Sequence, residues 1–81
     1  MSKSFEVKLN RDPDEIIAQA REAAHKNGIQ FTGDGQTGHF VGHGIEGSYL
    51  ILDNILNVNI AKKPFVMPWS LIESKLRAFF A

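Results

Sequence analysis

The chain has 81 residues, nine basic and nine acidic, and its formal net charge of zero argues against nucleic acid as a partner, because dedicated binders carry a basic surplus. With 43% apolar and 22% charged residues it has the composition of a globular domain, which excludes disorder. Its length makes a single domain, residues 1–81, and the lack of cysteine excludes a disulfide framework and any thiolate zinc site.

No apolar run approaches the roughly 20 residues of a membrane span. The opening segment, Met1 to Glu6, lacks the apolar stretch of a signal peptide, so a cytoplasmic location is expected. Charge is unevenly spread. Residues 62–81 hold Lys62, Lys63, Lys75 and Arg77 against Glu73, whereas the stretch from Asp12 to Ala61 is net acidic.

Phe5, Val7 and Leu9 alternate with polar residues, the period of a strand with one buried face. Asp12-Pro13-Asp14-Glu15 then starts a helix, with Asp12 as cap, Pro13 at the first position and Glu15 at capping-box spacing. Ile16, Ile17, Ala20, Ala23 and Ala24 form one apolar stripe, His25 and Lys26 suit the negative end of the dipole, and Gly28 supplies a left-handed stop. His25 lies away from the stripe and is expected in solvent.

From Ile29 to Lys63 the pattern is that of strands. Ile29 and Phe31 alternate with polar neighbours, Gly33 to Gly38 makes a turn, and extended chain resumes from His39 to His43. Gly42, Gly44 and Gly47 mark a bend or bulge. Ser48 to Leu52 and Ile55 to Ala61 flank Asp53-Asn54, a two-residue hairpin turn. If Leu52 pairs with Ile55, one face carries Gly47, Tyr49, Ile51, Leu56, Val58 and Ile60 and must be core. The other face mixes Ser48, Asn57 and Asn59 with three aliphatics: Leu50, Leu52 and Ile55.

Pro64 and Pro68 bracket a linker holding Phe65, Val66 and Met67. A closing helix runs from about Trp69 to Phe80, with Trp69, Ile72, Leu76, Phe79 and Phe80 on one stripe. Ser70 and Glu73 have capping-box spacing, with Pro68 competing as the first helical residue. The fold class is α+β. Two layers are expected, an antiparallel sheet of four to five strands with two helices on one face, in the order β-α-β-β-β-β-α.

Gly33-x-Gly35-x-x-Gly38 spells the dinucleotide fingerprint, but no helix follows to meet a pyrophosphate and Asp34 repels phosphate, so it reads as a hairpin turn. His39 and His43, four apart, share a face on a strand yet stand roughly 13 Å apart at about 3.3 Å per residue. They cannot chelate one ion, and the nearest acids, Asp34 and Glu46, are placed in turns; no metal and no cofactor is expected. Ser48 and Ser70 sit in no nucleophile elbow, so no catalytic residue is named and a non-enzyme is expected. The α-β-β-β-α run from Asp12 to Ala81 has the order of double-stranded-RNA-binding domains, but Met67, Pro68, Trp69 and Ser70 stand where those carry phosphate-gripping cations. The aromatics of this linker are expected to plug the core.

The opening strand and helix, then Phe40-x-Gly42-x-Gly44-Ile45-x-Gly47, Leu56-x-Val58-x-Ile60, and Pro68 followed by Ile72-Glu73 resemble the small bacterial family of polyhydroxyalkanoic acid system proteins. The likeness covers nearly the whole chain, which departs from the pattern in its shorter first helix. The resemblance implies a cytoplasmic accessory protein of storage-polyester granules. It supplies no catalytic residues.

Together these readings predict a non-enzymatic binding domain that associates with an apolar partner, a granule surface or an acyl-type ligand. Leu50, Leu52 and Ile55 on the open sheet face, with Phe65 and Met67 beside a basic linker, are the candidate surface. One alternative is a structural homodimer with two open faces packed about a two-fold axis. Others are a metal protein or enzyme centred on His39 and His43, and an RNA-binding module.

Overall fold

Two tight hairpins organise the sheet. In the computed structural model, which describes residues 3–80 apart from the side chain of Phe79, the elements are β1 (Lys3–Lys8), α1 (Pro13–Lys26), β2 (Gln30–Gly33), β3 (Thr37–Gly42), β4 (Ile45–Leu52), β5 (Ile55–Lys62) and α2 (Trp69–Phe80). Asp53 and Asn54 both have positive φ, 53° and 61°, as the tight primed turns require, and they join β4 to β5 with Leu52 opposite Ile55. His43 and Gly44, at φ 53° and 81°, make the same kind of turn between β3 and β4. Gly44 therefore divides what reads as one glycine-rich extended stretch into two strands. The irregularity falls at Glu46/Gly47, where the β4–β5 register slips by one residue.

The result is an α+β fold with a five-stranded antiparallel sheet in the order β1-β5-β4-β3-β2. Helix α1 leaves one edge strand and returns the chain to the other, so it must cross a sheet face. Its apolar stripe makes that face the inner one. Ile16, Ile17, Ala20 and Ala24 are buried, together with Val7, Phe40, Tyr49, Ile51, Leu56, Val58, Ile60, Ile72 and Phe80. Both helices cover the same face.

Helix boundaries follow local chemistry. Asp12 accepts from the Asp14 amide at 3.4 Å, while Glu15 leaves the capping-box geometry for Arg11, 3.6 Å away. Gly28 takes φ 71° just past the end of α1. At α2 the Pro68 carbonyl accepts from the Leu71 and Ile72 amides, at 3.1 and 3.3 Å, so Pro68 caps the helix from outside. Glu73 is thereby freed from Ser70 and pairs with Arg77 at 3.1 Å.

An aromatic cluster centres the core. Phe31 stacks on Tyr49 and Phe40 with centroids 5.7 and 6.4 Å apart, and Phe80 of α2 meets Tyr49 at 6.0 Å. Such pairs are worth about 0.5–1.5 kcal/mol each beyond the area they bury. The rings lie flat because the strand positions beneath them lack side chains. A Cβ on Gly38 would enter the Tyr49 ring, and one on Gly47 would stand 2.7 Å from Cζ of Phe40.

Candidate functional site

The open face of the sheet is assembled from the residues that alternate with the core. Register places Glu6, Asn57, Leu50 and Thr37 in one row across β1, β5, β4 and β3, and Ser4, Asn59, Ser48 and His39 in the next. All of these except His39 line a shallow depression of about 480 Å³. Their groups satisfy one another in part: Ser4 Oγ donates to Asn59 Oδ1 at 3.1 Å, and Asn57 Nδ2 to the Leu50 carbonyl at 3.3 Å. Leu50 (44% exposed) and Leu52 (58%) occupy one corner with half-buried Ile55, beside the Asp53-Asn54 turn.

Phe65 and Met67 do not join that corner. The linker leaves β5 at the opposite end of the strand, because β4 and β5 turn at Asp53-Asn54 while Pro64 lies against Gly44. Met67 is half-buried and packs on the core from the helix side. Phe65 is 97% exposed and its neighbour Val66 88%. The linker thus fills the core with Met67 and Trp69, whereas Phe65 plugs nothing. Val66, absent from the sequence-derived surface, belongs beside Phe65; the signal was its place between two prolines, in a segment too short for a strand or helix of its own.

Lys63 gives the linker its shape. Its Nζ donates to the carbonyls of Pro64, Phe65 and Met67, at 3.3, 3.5 and 2.8 Å. The same ammonium stands 5.4 Å from the centre of the Trp69 ring, and Lys3 Nζ stands 5.8 Å from it. A cation over an indole face is attracted by the ring quadrupole. The exposed tip is therefore backed by one aromatic ring and two cations, with Lys62 next in sequence.

The histidines are separated by their surroundings. His39 faces Glu46 across the β3–β4 pair, Nε2 to Oε1 3.8 Å, on the open face. His43 sits in the turn, its Nε2 2.7 Å from the Asn27 carbonyl. Glu46 belongs to a strand because the His43-Gly44 turn takes only two residues, which corrects its placement in a turn. Among the described residues no three His, Asp or Glu side chains are grouped to hold a metal ion.

The Gly33–Gly38 stretch is a hairpin turn whose polar groups bond within the fold. The Asp34 carboxylate accepts from the Gln36 and Thr37 amides at 2.9 and 3.0 Å, and these bonds, Thr37 first, lower its pKa from the usual carboxylate value. Tyr49 Oη donates to the Asp34 carbonyl at 2.6 Å, and Arg21 of α1 donates to the Gly33 carbonyl. Burial, reinforced by the Asp34 charge and opposed by Arg21, pushes the Tyr49 phenol up to about 12.

On the helix side a cleft of about 520 Å³ opens between α2, the segment leading from α1 into β2 and the β3–β4 turn. Phe40, Ile72 and Phe80 line it from the core and Ile29, Ile45 and Leu76 from its sides, with Lys75 and His43 as its titratable groups. Gly42 lets Ile29 pack directly on the β3 backbone at the cleft wall, since a Cβ there would lie 2.9 Å from Ile29 Cγ1.

Compared with known protein families, with curated proteins and with solved structures, the chain matches none. Fold and site define a small two-layer α+β domain with one face of its sheet uncovered and an exposed apolar loop tip. No helix among the described residues is long and apolar enough to cross a membrane.

Proposed function

We propose that this is a non-enzymatic accessory domain that associates with an apolar surface through the tip of its Pro64–Pro68 linker. The observation that carries the reading is the adjacent pair Phe65 and Val66, 97% and 88% exposed in a loop whose carbonyls are held by Lys63. A loop fixed by its own hydrogen bonds loses little entropy on docking, so burial of the two side chains is nearly all gain. That burial is worth about 3–5 kcal/mol if complete.

Trp69 with Lys3 and Lys63 stands behind the tip, in the arrangement that aromatic and cationic residues adopt where an apolar phase meets water. Each lysine near an anionic surface adds about 1 kcal/mol. The resemblance to polyhydroxyalkanoic acid system proteins makes the surface of a storage-polyester granule the natural apolar phase. Leu50 and Leu52, at the far corner of the open face, are a separate patch and not part of this contact.

The test is co-sedimentation with polyhydroxybutyrate granules and with phosphatidylcholine vesicles containing phosphatidylglycerol. The native protein should pellet with at least one of them, and Phe65→Ser/Val66→Ser should reduce the bound fraction at least tenfold. Unchanged binding by that variant, or no pelleting by the native protein at low salt, removes the proposal. If Leu50→Ser/Leu52→Ser rather than the tip variant loses binding, the contact lies on the sheet face and the tip assignment is wrong.

A further inference from the structure

The cleft beneath α2 has a chemistry of its own. Its walls come from the α1–β2 connection, β3, β4, the linker and α2, and its volume of about 520 Å³ lies in the range of about 300–1,000 Å³ of sites that take small molecules. The walls are apolar, from Ile29, Phe40 and Ile45 on the sheet side to Met67 and Leu76 opposite. Met67, unbranched and polarizable, can adapt to a chain lying against it.

The charged rim is one-sided. Of the lining residues only Lys75 and His43 titrate, and no Asp or Glu lines the cleft. Lys75 makes no ion pair among the described residues: the one acid nearby on its helix, Glu73, is held by Arg77 at 3.1 Å. His43 is tied by Nε2 to the Asn27 carbonyl at 2.7 Å. An apolar trough lined by an ammonium group that makes no ion pair among the described residues complements a molecule with a long apolar tail and a negative head.

We propose that this cleft binds a single-chain amphiphile with an anionic head, a medium-chain carboxylate, with its alkyl tail between Ile45, Met67 and Leu76 and its carboxylate at Lys75. The site is distinct from the loop tip in what it contacts, a single molecule in place of an extended surface. The linker links the two physically, since Phe65 and Val66 lead directly into Met67 at the cleft wall. A chain arriving from an apolar phase at the tip has its first protein contact one residue from the cleft.

The experiment is a methyl-resolved NMR titration of the full chain with decanoate, decanol and decyltrimethylammonium, each below its aggregation concentration. Decanoate should shift the methyls of Ile29, Ile45 and Leu76 saturably, and decanol and the cationic amphiphile should bind progressively less tightly. Lys75→Glu, an exposed change that leaves the fold intact, should weaken decanoate about tenfold, the effect of replacing attraction by repulsion at short range, while leaving decanol unchanged. Met67→Trp and Ile45→Trp, two independent ways to fill the trough, should abolish binding of all three. The proposal is overturned if decanoate shifts no cleft methyl, if its shifts map instead to Leu50 and Leu52 or to Val66, or if the cationic amphiphile binds as tightly as decanoate. Granule or vesicle binding that survives while the cleft stays silent would sink this site and leave the tip reading standing.

Discussion

Two of the connecting segments, the turn from Gly33 to Gly38 between β2 and β3 and the linker from Pro64 to Pro68 between β5 and α2, contrast in where their groups are spent. In the turn the Asp34 carboxylate, the Asp34 and Gly33 carbonyls and the Thr37 hydroxyl all bond to the chain itself or to α1 and β4. These groups are spent inside the fold, although this is the segment that spells a nucleotide-binding fingerprint. In the linker the Pro64, Phe65 and Met67 carbonyls accept from Lys63 and the Met67 amide donates back to the Pro64 carbonyl at 3.1 Å, while two apolar side chains are left facing water. The lesson is that a motif-rich loop can be wholly structural, while a loop without a motif carries the displayed surface.

The turn can be broken at Gly38. Because a Cβ at that position would occupy the Tyr49 ring, Gly38→Ala should cost about 3 kcal/mol in urea unfolding, the upper end of ordinary overpacking. Gly35 is the control in the same loop. There the added carbon meets the exposed Asp14 carboxylate, which can swing aside, so Gly35→Ala should change stability by less than about 0.5 kcal/mol. Equal costs at the two glycines would show that the turn is limited by backbone freedom and not by the ring above it.

Tyr49 is the next largest effect. Tyr49→Phe leaves the Asp34 carbonyl without its donor and should cost about 1–2 kcal/mol. The pH dependence gives the sign independently. The phenol is raised from 10.0 to about 12 in the fold, so the unfolded chain ionises first. Its contribution is complete below pH 10 and is lost as pH climbs from 10 to about 12. Urea midpoints of the native protein should fall over that interval, and those of Tyr49→Phe should stay flatter. Asp34 acts at the other end: its lowered pKa stabilises the fold above the ordinary carboxylate value of 3.8 and is lost as pH falls through the folded value. Asp34→Asn should therefore flatten the acid limb.

Lys63 tests the linker half of the contrast. Lys63→Met keeps the packing of the stem against Trp69 but removes the donor to the Pro64, Phe65 and Met67 carbonyls. Those carbonyls can turn to water, so the loss should be only about 1 kcal/mol or less. Amide exchange from 65 to 68 should accelerate, and surface binding should weaken severalfold because the tip must then be ordered on contact.

How far the sequence reveals this molecule follows from which forces act locally. Both helices, the Asp53-Asn54 turn and the inward set from Tyr49 to Ile60 are readable because period, capping and turn chemistry are short-range. The second hairpin was obscured by His43, a residue that rarely takes positive φ, so Gly44 reads as a bend and Glu46 as loop. The surface of Leu50, Leu52, Ile55, Phe65 and Met67 was assembled from residues that strand register separates: three at one corner, one at the far tip, one in the core side. Separation of Phe65 from Met67, two positions apart in an irregular segment, depends on where Lys63 finds acceptors, and no periodicity encodes that. The cleft is still less visible, because Ile29 and Leu76 read as ordinary strand and helix positions and no local pattern encodes a gap between them.

The smallest stability effect is the most informative. Phe65→Ser/Val66→Ser touches side chains that are 97% and 88% exposed, so the urea midpoint should move by less than about 0.5 kcal/mol equivalent. A residue pair that costs nothing to remove, yet lies in a loop held by three carbonyl bonds, is held for something other than folding. A substantial loss of stability would instead place the pair in the core, and the contrast between the two connections would collapse. With stability unchanged and granule binding lost, the linker stands as the segment that the fold holds out to a partner.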